Sequence, residues 1–144
     1  MAKPLISIAL PTHQMKNREY FLKRAIDSIH RQTYKNYEIV VTEEGLMAEN
    51  TNAAIKKCKG DIIKILYLDD YLTYDDSLQK IVKEWPFKWL VSGCIHNDGE
   101  KLFNEHYPVF DDRIMKGINT IGSPSVLAFE NKNPLFFDEK MSLL

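Results

Sequence analysis

The sequence predicts an α/β domain with a mainly parallel central sheet and helices packed against it. Two observations carry that expectation. Short runs rich in aliphatic and β-branched residues, at 5–10, 37–42 and 62–68, alternate with stretches whose apolar residues recur at helical spacing. Each of those three runs also ends in a polar cluster: Pro11-Thr12-His13, Glu43-Glu44 and Asp69-Asp70. Strand, helix, strand, helix, strand is a doubly wound, Rossmann-like three-layer order. In such a sheet the carboxyl ends of the strands share one edge, and ligands bind there.

Leu5 to Leu10 read as a buried strand that Pro11 ends, since proline brings no N–H to a ladder. Residues 12–17 form a polar loop. Asn17 is placed to cap a helix over 18–31, whose apolar face is Phe21, Leu22, Ala25, Ile26 and Ile29. Lys23, Arg24 and Asp27 fall mostly on its other side. After a turn, the β-branched content of Tyr37 to Thr42 favours a second strand. Asn50 is the expected cap of a short helix containing Ala53, Ala54, Ile55 and Cys58. Lys59-Gly60-Asp61 then punctuates before the third strand, 62–68.

Thr73 with Asp76 resembles a capping box, followed by Leu78, Ile81, Val82 and Trp85 on the buried face of a helix that Pro86 stops. Residues 89–95 read as a fourth strand and 96–100 as a turn, and Lys101-Leu102-Phe103 begins a short returning strand. From 104 to 117 the pattern is irregular. An apolar run at 126–129 and a turn at 131–134 precede Leu135-Phe136-Phe137-Asp138.

A length of 144 residues predicts one domain, and 44% hydrophobic with 27% charged residues is an ordinary globular balance. A net charge of -1 with no basic block argues against a nucleic-acid partner. The apolar stretch near the amino terminus is too short to span a bilayer, so a cytoplasmic location is expected, with peripheral membrane contact left to local basic patches. Cys58 and Cys94 make neither a metal signature nor a disulfide framework and read as buried thiols. The apolar ending around Phe136, Phe137, Met141, Leu143 and Leu144 suggests a further packed segment or self-association into a homo-oligomer.

Several blocks, taken in order, resemble a known family. They are Ile8-Ala9-Leu10-Pro11-Thr12, Leu22 through Ile29, Gln32-Thr33-Tyr34, Tyr37 through Val41, Asn52, Cys58-Lys59-Gly60 and Leu66 through Asp70, then Gly122-Ser123-Pro124-Ser125 and Phe137-Asp138-Glu139. This series is similar to the nucleotide-sugar-binding half of an inverting family 2 glycosyltransferase with the GT-A fold, and it covers nearly all the chain. The resemblance implies a single compact GT-A-like domain over 1–144, truncated at its carboxyl end relative to the family. The implied function is metal-dependent transfer of a sugar from a nucleoside-diphosphate sugar, a UDP-sugar first, to a glycan or lipid-linked acceptor with inversion. The alternative is a catalytically inactive nucleotide-sugar-binding domain, or a fragment of a longer glycosyltransferase.

The same resemblance assigns candidate residues. Pro11 and Thr12 would contact the base, and Glu43 takes the position of an aspartate that binds base or ribose, with one more methylene of reach. Glu44 adjoins it. Asn52 matches a family asparagine, although Thr51 stands where an arginine is often found, and Asn52 reads equally as a local helix-start residue. Asp69 and Asp70 would hold the diphosphate through Mn²⁺ or Mg²⁺, while Tyr67 replaces the first aspartate of the family's block. Ser123 and Ser125 would shape the acceptor cavity, and His96, from its place after a strand rather than from the resemblance, reads either as an acceptor-side group or as an ordinary loop histidine.

The family's catalytic carboxylate lies beyond the segment matched by Phe137 to Leu144. Asp98, Asp138 and Glu139 remain as candidate bases, each in a sequence that also reads as a turn. No Gly-x-Gly-x-x-Gly follows the first strand, so a dinucleotide is not implied. The serines at 123 and 125 lack the setting of a nucleophile elbow.

Overall fold

The computed structural model describes residues 2–141. Its elements in order are β1 (Ile6–Pro11), α1 (Arg18–His30), β2 (Tyr37–Thr42), α2 (Met47–Lys57), β3 (Ile62–Ile65), α3 (Ser77–Lys83), β4 (Trp89–Val91), β5 (Cys94–Asn97), β6 (Leu102–His106) and β7 (Leu127–Glu130). Short 3-10 turns lie at Ile114–Lys116 and Pro124–Val126.

Five strands form one sheet in the order β2-β1-β3-β7-β4, and β5 with β6 forms a separate hairpin. β1 runs parallel to β2 and β3, whereas β7 is antiparallel to both β3 and β4. The sheet is therefore mixed rather than mainly parallel. The reason lies in the connection. The excursion after β4 returns to the edge it left, where the Ser92 N–H donates to the Val126 carbonyl at 2.9 Å. A chain re-entering the sheet from that edge has to run back against β4.

β1 is buried along its whole length and divides the core by its period of two. Ile6, Ile8 and Leu10 join Ala25 and Ile29 of α1 and Leu78 and Ile81 of α3 on one face. Ala9, with Ile63 and Ile65 of β3, meets Ala54 and Ile55 of α2 and Phe129 of β7 on the other. Helices thus cover both faces, as the alternation of elements predicts. Gly60 enters between β1 and the turn before β3, where its N–H donates to Ser7 Oγ at 2.7 Å. A Cβ at this position would lie 2.5 Å from the Leu5 carbonyl oxygen, so only glycine fits.

Several local expectations are corrected. Asn17 sits before α1 at φ 62 and makes no side-chain cap; it supplies a left-handed turn instead. α2 begins three residues before Asn50, and its start is held by the Glu49 carboxylate accepting the Leu46 N–H at 2.9 Å. Asp76, not Thr73, occupies the cap position of α3. β3 ends at Ile65, although Leu66 and Leu68 stay buried. The single strand expected over 89–95 is two strands in different sheets, parted at Ser92-Gly93.

Cys58 is buried but Cys94 is half-buried. Near the end of the described chain, Phe137 packs on the α2-side core while Phe136 and Met141 are exposed; Leu143 and Leu144 lie outside the described residues. Among the described residues, no helix is long and apolar enough to cross a membrane.

Candidate donor site

Because β2, β1 and β3 are adjacent and parallel, the residues that follow them share one edge. At the β1 end, Pro11 and Thr12 are both buried. The Thr12 N–H donates to the Thr42 carbonyl at 2.7 Å and its Oγ1 to the same oxygen at 3.0 Å. The Thr12 carbonyl in turn accepts Asn50 Nδ2 at 2.7 Å, and Asn50 Oδ1 accepts the Glu44 N–H at 3.0 Å. The buried Asn50 amide therefore ties the ends of β1 and β2 to α2. Pro11 and Thr12 shape the edge from beneath, and Glu43 is what they bring to its surface.

Glu43 is held on both carboxylate oxygens. Arg18 Nη2 donates to Glu43 Oε2 at 2.9 Å and to Thr12 Oγ1 at 3.2 Å, and Gln14 Nε2 donates to Glu43 Oε1. Glu44 turns away to pair with Lys57. Arg18, at the first turn of α1, is thus drawn into the edge by the adjoining carboxylate rather than left as a solvent-facing helix charge.

At the β3 end, the buried Leu66 and Leu68 lead to Asp69, which is exposed, and Asp70, which is half-buried. The turn closes with the Asp70 N–H donating to the Tyr67 carbonyl at 3.0 Å. From α1, Arg24 Nη2 donates to the Asp69 carbonyl at 2.6 Å, and the guanidinium lies 4.6 Å from the Tyr71 ring centroid and 5.0 Å from that of Phe21. Stacked between aromatic faces, the cation is attracted by their quadrupoles and fixes the main chain of the acid pair.

The Gly122–Ser125 segment meets that pair from β7. Ser123 Oγ donates to Asp70 Oδ2 at 3.3 Å, and Ser125 Oγ accepts the Tyr67 N–H at 2.8 Å. Beneath them lies Lys64, 2% exposed in β3. Its ammonium donates to the carbonyls of Ser125, of Ile65 at 3.1 Å and of Leu127 at 3.5 Å. Burial lowers its pKa from the ordinary 10.5 to about 8, while the negative charge of Asp70 opposes that fall. Tyr67 carries its hydroxyl to within 3.2 Å of Thr51 Oγ1 on α2, and burial pushes its pKa up.

The remaining candidates make contacts of their own away from the acid pair. Asn52 Oδ1 accepts the Phe137 N–H at 2.8 Å, and its Nδ2 donates to the Phe137 carbonyl and to Glu139 Oε1, both at 2.9 Å. Asp98 Oδ1 accepts the N–H groups of Glu100 and Lys101, and the amides of Lys101 and then Glu100 hold its carboxyl below the ordinary range. Asp98 therefore closes the β5–β6 turn. Exposed His96 stacks on Phe103 with ring centroids 5.7 Å apart. Asp138 Oδ1 accepts the Lys140 N–H at 2.9 Å. Among the described residues, no three His, Cys, Asp or Glu side chains are grouped to hold a metal ion.

No protein-family model matches the chain. Over 67 residues, 46% of its length, it is 39% identical to an uncharacterized glycosyltransferase of Rickettsia prowazekii. Over a segment of the same length it is 34% identical to another from Rickettsia bellii. The matched segments amount to only 20% and 9% of those proteins. In fold, it superposes on residues 1–349 of Staphylococcus aureus TarS in complex with UDP with a TM-score of 0.70 at 16% identity, covering 95% of this chain and 51% of that one. A Pyrobaculum calidifontis mannosyltransferase in complex with GDP-Man and Mn²⁺ matches with a TM-score of 0.55 at 20% identity, over 66% of this chain and 36% of that one. The chain is thus similar to glycosyltransferases over 67 residues of sequence, and in fold to TarS and to a mannosyltransferase. It spans about half the length of the TarS segment and less of the sequence relatives.

Two residues of this edge, Arg24 and Lys64, escape sequence reasoning, and Arg18 reads in the sequence first as a solvent-facing helix charge and only second as a phosphate contact. Arginine on a helix and lysine after two isoleucines look like ordinary solvated charges. The signal for Lys64 was its position within an apolar strand buried on both faces, where every side chain has to find a partner inside.

Proposed function

We propose that this chain is the nucleotide-sugar-binding part of a metal-dependent glycosyltransferase. Its donor is a nucleoside-diphosphate sugar, with a UDP-sugar the first to test, and its acceptor a glycan or lipid-linked sugar. The observation that carries the reading is the Asp69–Asp70 pair at the carboxyl end of β3, met by Ser123 and aligned on one sheet edge with Glu43.

The donor set fits a hard divalent cation. Two carboxylates, one exposed and one half-buried, offer oxygen ligands and leave further positions for phosphate oxygens and water, as Mg²⁺ and Mn²⁺ require. When bound, such a cation neutralises charge that develops on the departing diphosphate. Arg24 keeps the main chain of the pair in place, and Ser123 holds the orientation of the Asp70 carboxylate. Glu43, gripped by Arg18 and Gln14, is the acidic group available to base or ribose hydroxyls.

Inverting transfer also needs a base within hydrogen-bond reach of the acceptor hydroxyl. Asp98, Asp138 and Glu139 are engaged in turns or with Asn52, and none is proposed for that role. A second reading, donor binding without transfer by this segment alone, is favoured by the greater length of the matched proteins. The test is calorimetric titration with UDP, GDP and their sugars, with and without Mn²⁺, followed by assay of nucleotide release across an acceptor panel. Metal-dependent binding with release supports the enzyme, and binding without release supports the second reading. Absence of any nucleotide binding overturns both.

A further inference from the structure

Lys64 is a buried cation whose hydrogen-bond partners are main-chain carbonyls. One of those carbonyls belongs to Ser125, two residues along the chain from the Ser123 hydroxyl that meets Asp70. The Ser123–Ser125 segment therefore links the buried ammonium to the acid pair, and Ser125 Oγ also accepts the Tyr67 N–H in the turn that carries that pair. The ammonium itself sits in protein rather than water: Lys64, Leu66, Leu68 and Val126 are all buried. Charges separated by such a medium act on one another more strongly than they would across solvent.

Resting on the donor-site reading above, we propose that Lys64 makes cation binding at Asp69 and Asp70 conditional on the nucleotide diphosphate. Two carboxylates, set against the buried Lys64 ammonium and the Arg24 guanidinium on the Asp69 carbonyl, present little net negative charge, a weak attraction for a divalent ion. A bound diphosphate would add negative charge and oxygen ligands to the pair. Asp69 and Asp70 would then hold the ion together with the donor rather than before it. Lys64 is thereby a positioning residue for charge; it is not required to touch the substrate. The pull of Asp70 on the protonation of Lys64 is consistent with this coupling, and at neutral pH the ammonium keeps its proton.

The experiment is titration of the chain with MnCl₂ alone, and then in the presence of UDP or GDP, following free Mn²⁺ by electron paramagnetic resonance. Wild type is expected to bind Mn²⁺ weakly alone and much more tightly with nucleotide. Lys64→Met, which removes the charge at similar volume, is expected to bind Mn²⁺ alone about tenfold more tightly and to gain less from nucleotide. Lys64→Gln, which keeps a donor for the carbonyls, is expected to behave in the same way, and circular dichroism establishes that each variant is folded. If Lys64 were only a structural tie, its loss would loosen the pair and weaken Mn²⁺ binding, a change of opposite sign. Unchanged or weaker binding in the folded variants would overturn the inference while leaving the donor site standing. So would wild-type affinity for Mn²⁺ that is the same with and without nucleotide. Wild type that takes up no Mn²⁺ with either nucleotide would overturn the donor-site reading itself, and this inference with it.

Discussion

The side-chain amide of Asn52 pairs with both main-chain groups of Phe137, accepting its N–H at 2.8 Å and donating to its carbonyl at 2.9 Å. This two-point clip joins α2 to a segment 85 positions away in the chain. It commits the Asn52 amide to the fold, and the ring of Phe137 then packs on the α2-side core. Asn52→Ala should leave main-chain groups without a partner and lower stability by about 1–3 kcal/mol, read from urea denaturation. Mn²⁺-dependent nucleotide binding by the folded variant should be unchanged, and a selective loss of binding at full stability would place Asn52 in the donor site after all.

Gly60→Ala should be severely destabilising. The added methyl would sit 2.5 Å from the Leu5 oxygen and 2.8 Å from the Ser7 nitrogen, both backbone atoms of the strand entering the core. Neither can swing aside as a side chain would, so β1 or the turn before β3 has to move. A loss of about 1–3 kcal/mol or more is expected, measured as a drop in the thermal midpoint.

Lys64 should leave a signature in the alkaline range. Its folded-state pKa of about 8 lies below the ordinary 10.5, so below pH 8 both states are protonated and the burial penalty is fully felt. Between about pH 8 and 10.5 the folded chain gives up the proton first, and the contribution of this group to stability rises by up to about 3 kcal/mol. Tyr34, Tyr67 and Cys58, whose pKa values burial raises, work in the opposite direction over the same range. Subtracting the Lys64→Met stability curve isolates the lysine. The stability of wild type relative to that variant should climb with pH across this window, and a flat difference would show that Lys64 is not held charged inside.

Asp69→Asn and Asp70→Asn should each weaken Mn²⁺-dependent nucleotide binding by tenfold or more, about 1.4 kcal/mol, with little change in melting temperature. Neither side chain is buried, so each removes a ligand without opening a hole in the core. Calorimetry alongside circular dichroism separates the two effects. Equal loss of binding and of folding would make the pair structural.

A further site measurement concerns Glu43. Glu43→Gln keeps the shape but removes the charge that Arg18 and Gln14 hold. Nucleotide affinity should fall while Mn²⁺ binding in the presence of inorganic diphosphate stays the same. A loss shared by diphosphate would move Glu43 from the base or ribose side to the metal.

What the sequence determined by itself was local: which stretches are strands, which are helices, and which face of each is apolar. The alternation of Ile6, Ile8 and Leu10 against Ser7 and Ala9, and the helical spacing of Ala25 and Ile29, follow from backbone periods of two and 3.6 residues. The acid pair at the end of the third strand was visible for the same reason. Tertiary structure decided what no local period encodes. The antiparallel entry of β7 depends on where a long excursion returns, and the division of 89–95 on the pairing of β4 with β7 but of β5 with β6. The placement of Arg24 against Tyr71, Asn52 against Phe137 and Lys64 beneath Ser125 likewise came from contacts between distant segments. A lysine reads as solvated in any window of sequence, and only the packing of β7 beside β3 makes it a buried charge.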